Sequence, residues 1–136
     1  MFRLLIILML SVSIGYAQEL ETLNNQYLQE FSAGKYAKAL KTAKSIIVKS
    51  EKEYQKTDKE YIDALYKYAE VCEKLKKYDA AVNYYNEIYS VSLNLLAEKF
   101  PVFGISLDYT RDLFAAIPDP EDAIDLYKKS LSRLSD

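Results

Sequence analysis

The sequence predicts an all-α chain, an α-solenoid of three antiparallel helix pairs, and three observations carry that reading. Ala39, Ala81 and Ala123 stand 42 residues apart, Leu23, Leu65 and Leu107 keep the same interval sixteen residues earlier, and Ala43, Tyr85 and Tyr127 keep it four residues later. A unit repeated at such a period is one supersecondary block that cannot bury its apolar face alone, so neighbouring blocks stack. Only 3 glycines and 3 prolines in 136 residues leave little punctuation for many short strands. Apolar residues also recur at three- and four-residue spacing along most of the chain, the period of a helix buried on one face.

The elements follow in order. Arg3, the unbroken apolar run Leu4 to Leu10, and small Gly15 and Ala17 read as a secretory signal peptide over residues 1–17, cleaved after Ala17. Polar Ser11, Ser13, Gln18 and Glu19 close the run well short of the roughly 20 apolar residues a membrane span needs, so no stable membrane insertion is expected after cleavage. The mature domain, 18–136, is then exported, to the periplasm or outside the cell. No cysteine follows the apolar run to accept a lipid.

In that domain Leu20, Leu23, Tyr27 and Phe31 mark a first helix stopping at Gly34, a residue suited to a left-handed cap. A second begins near Tyr36 and carries Ala39, Leu40, Ala43, Ile46 and Ile47 on one side. Thr57 and Glu60 form a capping-box pattern, so a third helix is expected to start there and run through Leu65, Ala69, Cys72 and Leu75 to Lys76 and Lys77. The fourth carries Ala81, Val82, Tyr85, Ile88 and Tyr89 and continues to about Lys99 before Pro101. A fifth holds Ile105, Leu107, Leu113 and Phe114. Asp119, Pro120 and Asp122 supply an N-cap, a first-turn proline and a capping acid for a sixth, through Leu134. The repeats span about 20–56, 57–100 and 102–136, and their short turns set the helices of each pair side by side.

These residues resemble the tetratricopeptide repeat (TPR) family. Gly34, Tyr36 and Ala39 look like its turn-and-helix signature, and Tyr78, Ala81 and Tyr85 repeat the second half; the third copy keeps Leu107, Ala123 and Tyr127 but has Pro120 in place of the tyrosine. The usual unit is about 34 residues. A unit of 42 is similar to the longer repeats of kinesin light chain, with about two more helical turns per unit, and Phe100, Pro101 and Val102 look like that variant's link between repeats. The resemblance covers about Leu20 to Leu134. It implies protein or peptide binding on a concave surface lined by the first helix of each pair, which places Asn24, Leu28, Asp63, Tyr66, Glu70, Glu73, Asp108 and Asp112 there. That surface is mostly acidic and lacks the basic clamp some members use for a terminal carboxylate, so a basic or mixed partner segment is expected.

The same residues have plainer readings. Charge on an exposed helix face is by default a solvated face, and packing between helices accounts for most of Tyr66, Tyr68, Tyr84, Tyr85 and Tyr89. Cys72, on the stripe with Leu65, Ala69 and Leu75, reads as a small apolar filler. The 18 basic and 20 acidic side chains give a net charge of −2, and removing Arg3 with the leader leaves −3, which argues against a nucleic-acid partner. No histidine and a single cysteine leave no usual general base, metal site or internal disulfide, and the acids around Asp119 and Asp122 lack the pattern of a calcium loop. No enzyme activity, catalytic residue, cofactor or metal is expected. Because the sequence ends soon after a helix whose Leu126, Tyr127, Leu131 and Leu134 are apolar, the alternative is a self-assembling, docking or sensing segment of a larger exported complex that covers this end through its last helix.

Overall fold

The computed structural model describes residues 2–99 and 118–134. Among them every regular element is helical: α1 Phe2–Ser32, α2 Tyr36–Glu53, α3 Lys59–Lys74, α4 Tyr78–Lys99 and α5 Pro120–Leu134. The fold is therefore all-α over the described residues. Each helix packs on its chain neighbours: α1 on α2, α2 on α3, α3 on α4 and α4 on α5. The expected helix around Ile105 to Ile117 and the Phe100–Val102 link lie outside the described residues. α1 runs through Gly15 to Ala17 without a break, and around that point Lys49 of α2 ion-pairs with Glu19 and lies 5.7 Å from the ring centroid of Tyr16.

The 42-residue period is a period of the backbone as well as of side chains. After α1, Lys35 N–H donates to the Glu30 carbonyl (2.8 Å) and Gly34 N–H to that of Phe31 (3.0 Å); after α3, Lys77 N–H donates to Cys72 (2.8 Å) and Lys76 N–H to Glu73 (2.9 Å). These are the same two bonds of a Schellman turn, 42 positions apart. The helix starts repeat too: the amides of Ala39, Ala81 and Ala123 donate to the carbonyls of Lys35, Lys77 and Asp119 at 3.0, 3.0 and 3.1 Å. Repeating the sequence has repeated the turn, and the turn fixes how each helix reverses onto the previous one.

The two turns place different residues at the left-handed position. It is glycine in the first, Gly34 at φ 70°, and lysine in the second, Lys76 at φ 56°. A β-carbon built on Gly34 meets nothing within 4 Å, so only backbone strain distinguishes the sites. Lys76→Gly should therefore raise stability by about 0.5–1 kcal/mol and Gly34→Ala lower it by a similar amount, since a side chain disfavours this region. Urea unfolding followed by circular dichroism checks both signs.

The expected capping box at Thr57 does not form. The helix starts two residues later, with Asp58 at the N-cap in extended conformation and no side-chain capping bond. The Asp58 carboxylate instead accepts the Gln55 N–H at 2.8 Å. Closing the loop between α2 and α3 has taken the acceptor that would have capped the helix. At α5 the cap is as expected, Asp119 Oδ1 accepting the Glu121 N–H at 2.9 Å.

The repeat alanines sit in the buried core. Ala39 and Ala81 have no exposed surface and Ala123 almost none. Around them Ile46, Leu65, Ile88, Ile124, Tyr85 and Tyr127 are buried, and Cys72 fills a gap on α3 as a buried thiol that burial pushes up in pKa. Aromatic pairs close the seams: Phe31 meets Tyr36 edge-on at 5.4 Å, Tyr68 lies 4.5 Å from Tyr84, and Tyr89 meets Tyr127 at 5.7 Å. Polar ties add direction. Thr42 donates to Glu30 Oε2 at 2.6 Å, and Gln26 Nε2 donates to Glu30 Oε1 at 3.0 Å, pinning α1 to α2 and holding the Glu30 carboxyl below its ordinary range.

Candidate functional site

The described members of the expected binding set lie on two helices, Asn24 and Leu28 on α1 and Asp63, Tyr66, Glu70 and Glu73 on α3. Asp108 and Asp112 lie outside the described residues. Spacing of three and four residues puts each set on one face of its helix. What joins the faces is Tyr27, whose hydroxyl donates to the Lys67 carbonyl of α3 at 3.0 Å. The bond spans 40 positions, two short of the repeat, while Asn24 and Tyr66 hold equivalent positions 42 residues apart, and so do Leu28 and Glu70.

Charge on this surface is more balanced than the sequence suggested. Asp63 ion-pairs with Lys59, one turn earlier on α3. Glu73 ion-pairs with Lys128 of α5 and accepts the Tyr85 hydroxyl at 3.3 Å, while Lys128 Nζ stands 5.5 Å from the Tyr85 ring centroid. Lys67 lies between Asp63 and Glu70, and burial lowers its pKa. Glu70 makes no ion pair among the described residues. Its charge is felt by Tyr27, Tyr66 and Tyr85, whose phenols are raised in pKa chiefly by burial.

The surface also has an apolar side and an unmet polar atom. Leu28 is 55% exposed, and the Asn24 side-chain oxygen is buried without a hydrogen-bond partner among the described residues. Tyr66 is held by an edge-on contact with Tyr85 at 5.5 Å, so its ring is fixed. Beyond Glu73 the face opens into a cleft of about 280 Å³ lined by Glu73, Lys74, Tyr78, Glu121, Ile124 and Asp125. Both signs of charge line it.

Among the described residues no group of three or more histidine, cysteine, aspartate or glutamate side chains is placed to hold a metal, and no helix is long and apolar enough to cross a membrane. Three residues that organise the surface were absent from the expected set: Tyr27, Lys67 and Lys128. Lys67 was within reach of the sequence, being four residues after Asp63 and three before Glu70 on the same face. Lys128 was not, because its pairing with Glu73 spans 55 positions. No protein-family model, curated protein or solved structure matches the chain.

Proposed function

We propose that the chain is an exported, non-enzymatic α-solenoid of the tetratricopeptide type, formed by stacked helix pairs after removal of residues 1–17, which binds a protein or peptide segment along the joined faces of α1 and α3. The observation that carries this reading is the repetition of the same turn bonds at 42 residues, with α1 linked to α3 by the hydrogen bond from Tyr27 to the Lys67 carbonyl. Stacked repeats present a continuous face, and such faces hold extended or helical segments. The exposed Leu28 and the fixed Tyr66 ring supply apolar contact, and the mixed charges suit a mixed or basic segment rather than a nucleic acid.

The alternative reading is a segment that assembles with itself or with a larger exported complex through α5. Tyr127 and Leu131 are buried within the chain, which leaves half-buried Leu126 as the described apolar contribution of the expected outer face. One preparation of the mature chain separates the readings. Used as bait on the exported fraction, it is expected to retain a partner that the variant carrying Asp63→Lys, Glu70→Lys and Asp108→Lys does not. Equal recovery by both removes the α1–α3 face as the binding surface. Light scattering on the same sample is expected to give the mass of one chain, and a multiple of it favours assembly through α5.

A further inference from the structure

The Glu73 site shows how this fold takes a lysine. A carboxylate meets the ammonium group of Lys128, the Tyr85 ring faces it at 5.5 Å, and the Tyr85 hydroxyl holds the same carboxylate oxygen. The occupant there comes from the chain itself. One turn earlier on α3 Glu70 also has a tyrosine on its own face: Tyr66 lies four residues before it, and the Tyr66 ring abuts Tyr85 edge-on. Tyr27 borders this second position through its bond to the Lys67 carbonyl. Here no cation stands at ion-pairing distance from the carboxylate among the described residues, and Lys67 on the same face makes no ion pair with it. Leu28, at the equivalent repeat position on α1 and next in sequence to Tyr27, offers exposed apolar surface.

Resting on the peptide-binding reading above, we infer that Glu70 and Tyr66 anchor a lysine or arginine side chain of the bound segment, with an apolar neighbour of that residue covering Leu28. The carboxylate supplies the charge-assisted hydrogen bond and the ring a cation–π contact. The face then reads a cationic residue next to an apolar one, a pattern distinct from simple attraction of positive charge.

Selection of a displayed library of random short peptides against the mature chain tests this. Enriched peptides are expected to share a lysine or arginine adjacent to an apolar residue. Changing that basic residue to glutamate should abolish binding, and Glu70→Gln should weaken it about tenfold, the scale of turning one charge-assisted hydrogen bond into a neutral one while the Tyr66 contact remains. Glu70→Lys should restore binding of the glutamate-bearing peptide, which a variant that merely misfolds would not do. Enriched peptides without a basic residue, or with affinity unchanged by Glu70→Gln, overturn the anchor while leaving the binding scaffold in place. A library that enriches nothing overturns both.

Discussion

Tyr85→Ala is expected to remove about 3–5 kcal/mol of stability, the range for deleting a buried aromatic ring, from a domain whose whole stability is of the order of 5–15 kcal/mol. Tyr85 has no exposed surface and lies where α3, α4 and α5 meet. Its ring packs on Tyr66 and faces Lys128, and its hydroxyl donates to Glu73. Alanine would leave a cavity between three helices and would deprive the Glu73–Lys128 pair of the ring and hydroxyl that flank it. Tyr85→Phe separates the two contributions, keeping the ring and losing one hydrogen bond, and should cost only about 0.5–1.5 kcal/mol. The measurement is the urea midpoint of the helical signal for the three chains. A Tyr85→Ala midpoint equal to that of the unaltered chain would mean that the junction of α3, α4 and α5 is not a cooperative part of the fold. Because Tyr85 also fixes the Tyr66 ring, the alanine variant should lose peptide binding while still folded in mild conditions.

Local chemistry was legible in the sequence wherever it repeats. The spacing of Ala39, Ala81 and Ala123 located three core positions, Gly34 located a left-handed turn, and Asp119 located a cap that forms. Lys76 shows the limit of reading residue types: nothing about lysine signals a left-handed position, although counting 42 residues from Gly34 does. Thr57 shows another. A capping box is a local pattern, and it lost to a loop bond from Gln55 to Asp58 whose value depends on where α2 ends. For the candidate surface, helical spacing gathered Asp63, Tyr66, Glu70 and Glu73 on one face, but charge pairing across the fold decided which of them are already engaged. Lys128 reaches Glu73 only once α5 has packed on α4, and no short window of sequence contains both.

The unusual reliance on tyrosine should make the chain fail abruptly in alkali. Burial pushes the Tyr61 phenol up to about 12, with Glu87 adding to the shift and accepting its hydroxyl at 3.2 Å. Tyr27 and Tyr85 are raised further, again chiefly by burial, with Glu70 beside the first and Glu73 beside the second. The unfolded phenol ionises near pH 10. Below that value both states hold their protons and the full stability is present. Above it the unfolded chain releases protons that the folded chain retains, so stability falls as pH rises from about 10 through the folded pKa values. Each such group removes about 1.4 kcal/mol per pH unit in that window. Three together remove about 4 kcal/mol per unit, comparable with the whole margin of a small domain. The share of the phenolate absorbance that belongs to the buried rings is therefore expected to rise in one steep step that coincides with loss of helix between about pH 10 and 12, the interval bounded by the Tyr61 shift. A smooth titration centred near pH 10 with the helices intact would show that these rings are reached by water in the folded chain. Tyr61→Phe keeps the ring in its place between α3 and α4 and removes one phenol and its bond to Glu87. It should lower stability slightly at neutral pH yet make the alkaline decline shallower, a crossing of the two curves that loss of packing alone would not produce.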